Sequence, residues 1–382
     1  VNWLQEFGSN SNNVSNFSYI NKKEKLFKSS RLSKYFITKN LDYLKPTKPL
    51  IIDDNVISFD QNGTIYFYSI KDKKKIWQFN FYKKKYKKFN KSIYLSIDSQ
   101  YIYAADNLGY MYALDLSSGN LIWAKNFGIP FRSNVKIENE KIYLANQDNI
   151  LYCVDAIKGE LIWQFATSLT FLKTDFINNI IIDNDTNSII FFNTNGELYS
   201  INYINQKINW VINTVNIMAN STVDLLLSVP IILKNDSIYV YNGSYFTSYN
   251  KFNGLKNWNT KISLKIKPIA TKNNIFLITK KDLLVCLDSS TGNLIWSQNI
   301  YKSLDVKKKK INKKFGIANS LIIAQNELVI FTSTGQMLSF DFRGGSLISH
   351  KKMTSFGLGT DPIFVKGYLY LFDKNYKLFK FQ

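Results

Sequence analysis

Few residues in this chain of 382 could carry covalent or acid–base chemistry, and their spacing argues against a shared centre. His350 is the only histidine. One imidazole cannot build a zinc cluster, and this one sits beside Ser349 and two lysines at the end of a strand-like phrase, which reads as solvated surface. Cys153 and Cys286 hold the same place in two copies of one phrase, ILYCVD and LLVCLD, where Ala113 stands in a third. Distant copies keep the two thiols out of disulfide reach, and a place shared with alanine suits a small core residue. Asp53-Asp54 and Asp183 with Asp185 are close carboxylate pairs, but a metal needs more converging oxygens than a pair supplies. The patterns GxSxG, HExxH and GxxxxGK[ST] do not occur. The expectation is a non-enzymatic protein with no catalytic residue, metal or cofactor.

The elements that would have to position any site are written in a repeat. Trp77, Trp123, Trp163, Trp210, Trp258 and Trp296 recur at one point of a phrase whose best copies read GYMYALDLSSGNLIW, NILYCVDAIKGELIW and DLLVCLDSSTGNLIW. A period of 38–48 residues marks a repeat architecture. Within the phrase an alternating strand runs into a tight turn and then a second strand that carries the Trp. Asp opens the turn by bonding its backbone, and Gly supplies a conformation other residues avoid. These are Asp115/Gly119, Asp155/Gly159 and Asp288/Gly292, with Asp341/Gly345 in a later copy and decayed versions at Ser69/Lys73, Asn202/Gln206 and Asn250/Gly254. A further strand pair, such as Asn134–Glu138 and Lys141–Asn146, fills the gap before the next phrase. About four antiparallel strands per period make one blade of a β-propeller.

Six blades carry a Trp, and Gly335–Ser349 marks a seventh with Ser349 in the Trp place. Strands near Asp361–Val365, Tyr368–Phe372 and Lys377–Gln382 leave an eighth blade one strand short, and Glu24–Ile37 is the natural donor. The expected fold is therefore all-β: a single eight-bladed propeller over residues 24–382, its last blade closed by an N-terminal strand. Residues 1–23, rich in Asn and Ser, read as a polar tether. The chain begins with Val, so residues upstream are expected to have been removed or left out.

No run of 18 apolar residues is present, so no helix is expected to span a membrane. The net charge of +21 rests on Lys, with Arg only at positions 31, 132 and 343. Abundant Lys, Asn, Ile, Phe and Tyr fit AT-rich codon usage, and selection for a basic surface is the other reading. Lys83, Lys84, Lys85, Lys87 and Lys88 form one run; Lys307, Lys308, Lys309 and Lys310 form another. Both fall between an outer strand and the next inner strand, hence on one face of a ring. They read either as solvated loops or as contacts for an anionic membrane surface. Nucleic acid is not expected, because base and phosphate forks favour Arg.

The phrase L-Y-x-[LV]-D-x-x-x-G-x-L-I-W resembles the repeat of pyrroloquinoline-quinone propellers, a superfamily of quinoprotein dehydrogenases and non-enzymatic rings. The dehydrogenases hold the quinone and a calcium on the axis, many under a disulfide of adjacent cysteines; this chain has no Cys-Cys pair. In length and layout it is more similar to the BamB family of outer-membrane β-barrel assembly. The ending with Gly357, Thr360, Asp361 and Pro362 resembles that family's Gly-x-x-[TS]-[DE]-P turn. Trp3, Gln5, Gly8 and Asn10 are similar to its Trp-x-Gln and Gly-x-Asn opening.

The resemblance implies a periplasmic scaffold, monomeric within a complex, that docks on the periplasmic domains of BamA beside the other machine subunits. Such proteins are often lipoproteins anchored through an N-terminal Cys that this chain lacks. The implied docking loops are Ser168–Asp175, with Phe171, Leu172 and Lys173, and Asn216–Val229, with Asp224, Leu225 and Leu227. A quinone- and calcium-binding relative, or a binding module for envelope glycans, stands as the alternative.

Overall fold

Near-continuous apolar runs in the middle strands, such as SIIFF and NIFLI, give strands with two buried faces, and only radial packing can cover both. The computed structural model describes residues 2–14, 16–19, 24–34, 49–82, 86, 88–169, 176–215, 227–304, 311 and 313–382. Among these the strands form eight four-stranded antiparallel sheets, each in simple up-and-down order. Blade 3 is typical: Lys136–Glu138 lies innermost, followed outward by Lys141–Ala145, Ile150–Asp155 and Leu161–Ala166. The middle strands are buried throughout while the outermost alternate with solvent. Apolar clusters sit between neighbouring blades; one joins blades 2 and 3 around Trp123, Ile142 and Leu144.

The eighth sheet is built as expected. Ile363–Val365, Tyr368–Phe372 and Lys377–Phe381 are completed on the outside by Lys25–Arg31, antiparallel to the last strand. The ring is thus closed by main-chain bonds between chain ends, which leaves no open radial seam.

Trp and Gly form one device that spans two blades. The Trp77, Trp123, Trp210 and Trp258 indoles donate Nε1–H to the carbonyls of Leu116, Ala156, Lys251 and Ser289 in the following blade, at 3.0–3.1 Å. The same rings lie flat on the turn glycine of that blade. A Cβ on Gly119, Gly159, Gly254 or Gly292 would stand 2.4–2.7 Å from the indole. A small residue opposite five of the six tryptophans makes room from below, while Trp77 faces Phe67. Ala113, Cys153, Ser200, Ser248 and Cys286 pair with Trp123, Trp163, Trp210, Trp258 and Trp296, and a bulge follows each pair. Ser349 replaces Trp in blade 7 for a topological reason. Its neighbour, blade 8, has a chain break where the turn glycine would be, so an indole there would have nothing to cover.

The N-terminal segment departs from the tether expected for residues 1–23. Its described part is packed inside the ring: Trp3, Phe7, Asn12, Asn13 and Tyr19 are buried. The reason is that the innermost strands present free N–H and C=O groups to the axis, and Asn and Ser satisfy such groups as well as they satisfy water.

Candidate functional site

Up-and-down blades have two kinds of loop, on opposite faces. The turns after the first and third strands share one face. The turns after the second strand share the other face with the connections between blades. Hydrogen bonds join the members of this second set. Asn195, in the blade 4 turn, donates Nδ2–H to the carbonyl of Ser168 at 2.7 Å, and Ser168 Oγ donates to the Glu197 carboxylate at 2.7 Å. Asn242 in blade 5 donates to the carbonyl of Thr214 at 2.6 Å, and Ser228 Oγ donates to that of Tyr241. The stems of the connections between blades 3 and 4 and blades 4 and 5 are therefore pinned to rigid turns.

Leu169 and Leu227, on those stems, are 69 and 61% exposed; Ile204 and Leu255, in turns of the opposite face, are exposed to a similar degree. Phe89, Ile317 and Phe356 occupy other connections of this face and are also exposed. Phe171, Leu172, Lys173, Asp224 and Leu225 lie outside the described residues, as do Lys83, Lys84, Lys85, Lys87 and Lys307–Lys310. Lys88, the last of the first run, and Lys313 and Lys314, just after the second, are exposed.

The residues considered for chemistry have structural tasks. Asp53 and Asp54 tie blade 1 to blade 8. Asp53 pairs with Lys366 at 2.9 Å; Asp54 pairs with Lys380 at 2.9 Å and accepts Tyr370 Oη–H at 2.7 Å. The hydrogen bond and charge of Lys366 lower the Asp53 pKa. Burial opposes ionisation of Asp54, but its bonds to Lys380 and Tyr370 outweigh that and lower its pKa too. Asp183 and Asp185 flank the buried Lys251 at 3.3 and 2.8 Å, with Asp236 at 3.8 Å. Burial works against the Lys251 charge, yet the two nearer carboxylates hold its pKa above the ordinary value. An open cavity of about 340 Å³ lies beside this cluster, between blades 4 and 5, lined also by Ser9, Asn184 and Asn235.

Burial pushes the thiols of Cys153 and Cys286 up to about 11 and 12, so neither is a nucleophile at neutral pH. His350 meets the Phe315 ring edge-on at 5.6 Å. Among the described residues no group of three or more His, Cys, Asp or Glu side chains is placed to hold a metal ion, and no helix is long and apolar enough to cross a membrane.

An ionisable group does lie on the inner rim. Lys136 is fully buried and donates Nζ–H to the Ser9 carbonyl at 2.6 Å. Burial lowers its pKa to about 7, against the opposing pull of Glu6. Lys267 donates to the Asn12 carbonyl at 3.1 Å. Sequence reasoning passed over these two lysines and the segment they hold. The available signal was Trp3 five residues before Gly8. The Trp3 ring covers Gly8, where a Cβ would stand 2.7 Å away, and Gln5 bonds Asn10 at 2.9 Å, so the opening motif is one folded loop.

Comparison with known proteins then decides the family. The family model described as outer membrane protein assembly factor BamB matches residues 46–298, more than half of the chain. The chain belongs to the BamB family. The crystal structure of BamB from Moraxella catarrhalis aligns with a TM-score of 0.72 at 14% identity, over 94% of this chain and 99% of that one. A quinohemoprotein alcohol dehydrogenase from Pseudomonas putida HK5 aligns equally well, TM-score 0.72 at 9% identity, over 100% of this chain and 80% of that one. The Comamonas testosteroni enzyme gives 0.70 at 11%, over 97 and 76%. At such identities the structural likenesses speak for the fold alone, and membership of the BamB family rests on the sequence match. A search of curated protein sequences gives no match.

Proposed function

We propose that this BamB-family ring is a non-enzymatic scaffold of outer-membrane β-barrel assembly, periplasmic and associated with the outer membrane, that docks on the periplasmic domains of BamA. The observation that carries the reading is the pair of exposed leucines, Leu169 and Leu227, on pinned stems of neighbouring inter-blade connections. Exposed apolar side chains on held stems offer a partner surface that it can take out of water. The repeat glycines and tryptophans and the paired carboxylates serve the fold, which leaves the loops to meet partners.

A photo-crosslinking residue at position 169 or 227, in the native envelope, is expected to trap BamA. The same probe at Ile157, exposed on the opposite face, is expected to trap none. If both positions stay silent while other machine subunits are captured by BamA under the same conditions, the docking reading is wrong.

A further inference from the structure

We infer that the inner rim of the ring is a peptide-binding groove and that residues 2–19 are its resident, exchangeable ligand. The segment visits the blades in order and completes one circuit of the axis. Trp3 exchanges main-chain bonds with Ile51 of blade 1 at 2.8 and 2.9 Å, and the Leu4 carbonyl accepts Ile97 N–H of blade 2 at 2.8 Å. Asn10 donates to Glu138 of blade 3 at 2.8 Å, and its carbonyl accepts Ile182 N–H of blade 4 at 3.1 Å. The Ser11 carbonyl accepts Leu233 N–H of blade 5 at 3.0 Å. Asn13 then pairs with blade 6, Phe17 bridges Ala324 of blade 7, and Tyr19 bridges Gly367 of blade 8.

Recognition has the grammar of strand addition, with main-chain bonds for affinity and a few side chains for register. The register is set by two buried asparagines. Asn13 reads both groups of one residue, donating to the Ala270 carbonyl at 2.9 Å and accepting its N–H at 3.1 Å. Asn12 donates to the carbonyls of Ile180 and Ile231 at 3.2 and 3.3 Å, and so spans blades 4 and 5. Aromatic anchors lie on either side, with Phe17 stacked on Phe364 at 5.5 Å.

Two features make this a ligand rather than a ninth wall. The segment bonds the rim through isolated bridges, so no four-stranded sheet depends on it. Its hold also includes hydrogen bonds from Nζ of Lys136 and Lys267 to the Ser9 and Asn12 carbonyls, contacts any peptide carbonyl could receive. The chemistry recognised is an extended polypeptide with adjacent asparagines between aromatic residues.

The test places a protease recognition sequence within residues 20–23 of the full chain, cuts it, and adds a fluorescent synthetic peptide of residues 1–19. The cut segment is expected to stay on the ring in native mass spectrometry and to exchange saturably with the labelled peptide. A peptide with Asn12→Ala and Asn13→Ala should bind about tenfold to a hundredfold more weakly. In the uncut protein, amides of residues 2–19 should exchange hydrogen well before those of the middle strand Lys141–Ala145. The inference is overturned if the labelled peptide fails to enter a ring whose circular dichroism is intact, or if the ring unfolds once the segment leaves. It is overturned equally if the two sets of amides exchange together, because the segment would then be an integral part of the fold.

Discussion

At the scale of single residues, the inter-blade device makes a sharp contrast between glycines. Gly159 has φ of +69°, and a Cβ there would stand 2.5 Å from Trp123. Gly128 has φ of +77°, with nothing within 4 Å of the same construction. Gly128→Ala pays only for the left-handed backbone, about 1–2 kcal/mol. Gly159→Ala adds the displacement of a packed indole and should cost about 2–4 kcal/mol. Urea midpoints of the two variants check this; equal losses would mean that the Trp–Gly stack contributes nothing beyond backbone strain. The pattern behind this contrast is legible in the sequence because Trp and Gly are costly to replace. The reason for Ser349 is not, since it depends on which blade is broken. The cysteines read correctly as small core residues, though only the structure shows that Cys153 and Cys286 lie opposite Trp163 and Trp296.

At the scale of elements, the closing strand is the irregular one. Lys25–Arg31 pairs with Lys377–Phe381 through two register shifts. At the second shift the Ser29 hydroxyl, not a carbonyl, takes the Leu378 N–H at 2.9 Å in a buried setting. Ser29→Ala leaves that donor unpaired, a cost of about 1–3 kcal/mol. Ser30→Ala, on the exposed side of the same strand, should be nearly neutral. A thermal or urea unfolding series checks the difference, and indistinguishable variants would show that water replaces the hydroxyl. The strand itself was legible from the missing fourth strand of the last blade. The inward path of residues 2–19 was not. Asn and Ser are the residues of solvated linkers and also of backbone capping, and composition cannot tell the two apart; only the free inner edges of an assembled ring decide. A second turn escaped notice for a related reason. Asp106, Asn146, Asn193 and Asp373 each accept two backbone N–H groups between the second and third strands, but Asp and Asn alternate there and no Trp marks the place.

At the scale of the whole molecule, the connections between blades share one face. The connections between blades 3 and 4 and blades 4 and 5 carry Leu169 and Leu227. The lysine runs belong to the connections between blades 1 and 2 and blades 6 and 7, two junctions away on either side. In chain order the basic connections thus flank the two that carry the leucines, an order that would suit an anionic membrane surface. Each lysine near such a surface contributes about 1 kcal/mol, and the attraction decays over a Debye length of about 10 Å at 0.1 M salt. Binding to vesicles rich in phosphatidylglycerol should therefore weaken steeply between about 0.05 and 0.5 M salt. It should also weaken when Lys83, Lys84, Lys85, Lys87, Lys88 and Lys307–Lys310 are changed to Gln. The rest of the +21 net charge is spread over the ring, so a general coulombic attraction would survive these changes almost intact. That outcome would assign the charge to composition. A selective loss, with salt sensitivity falling in step, would assign it to the two runs and fix the face turned toward the membrane.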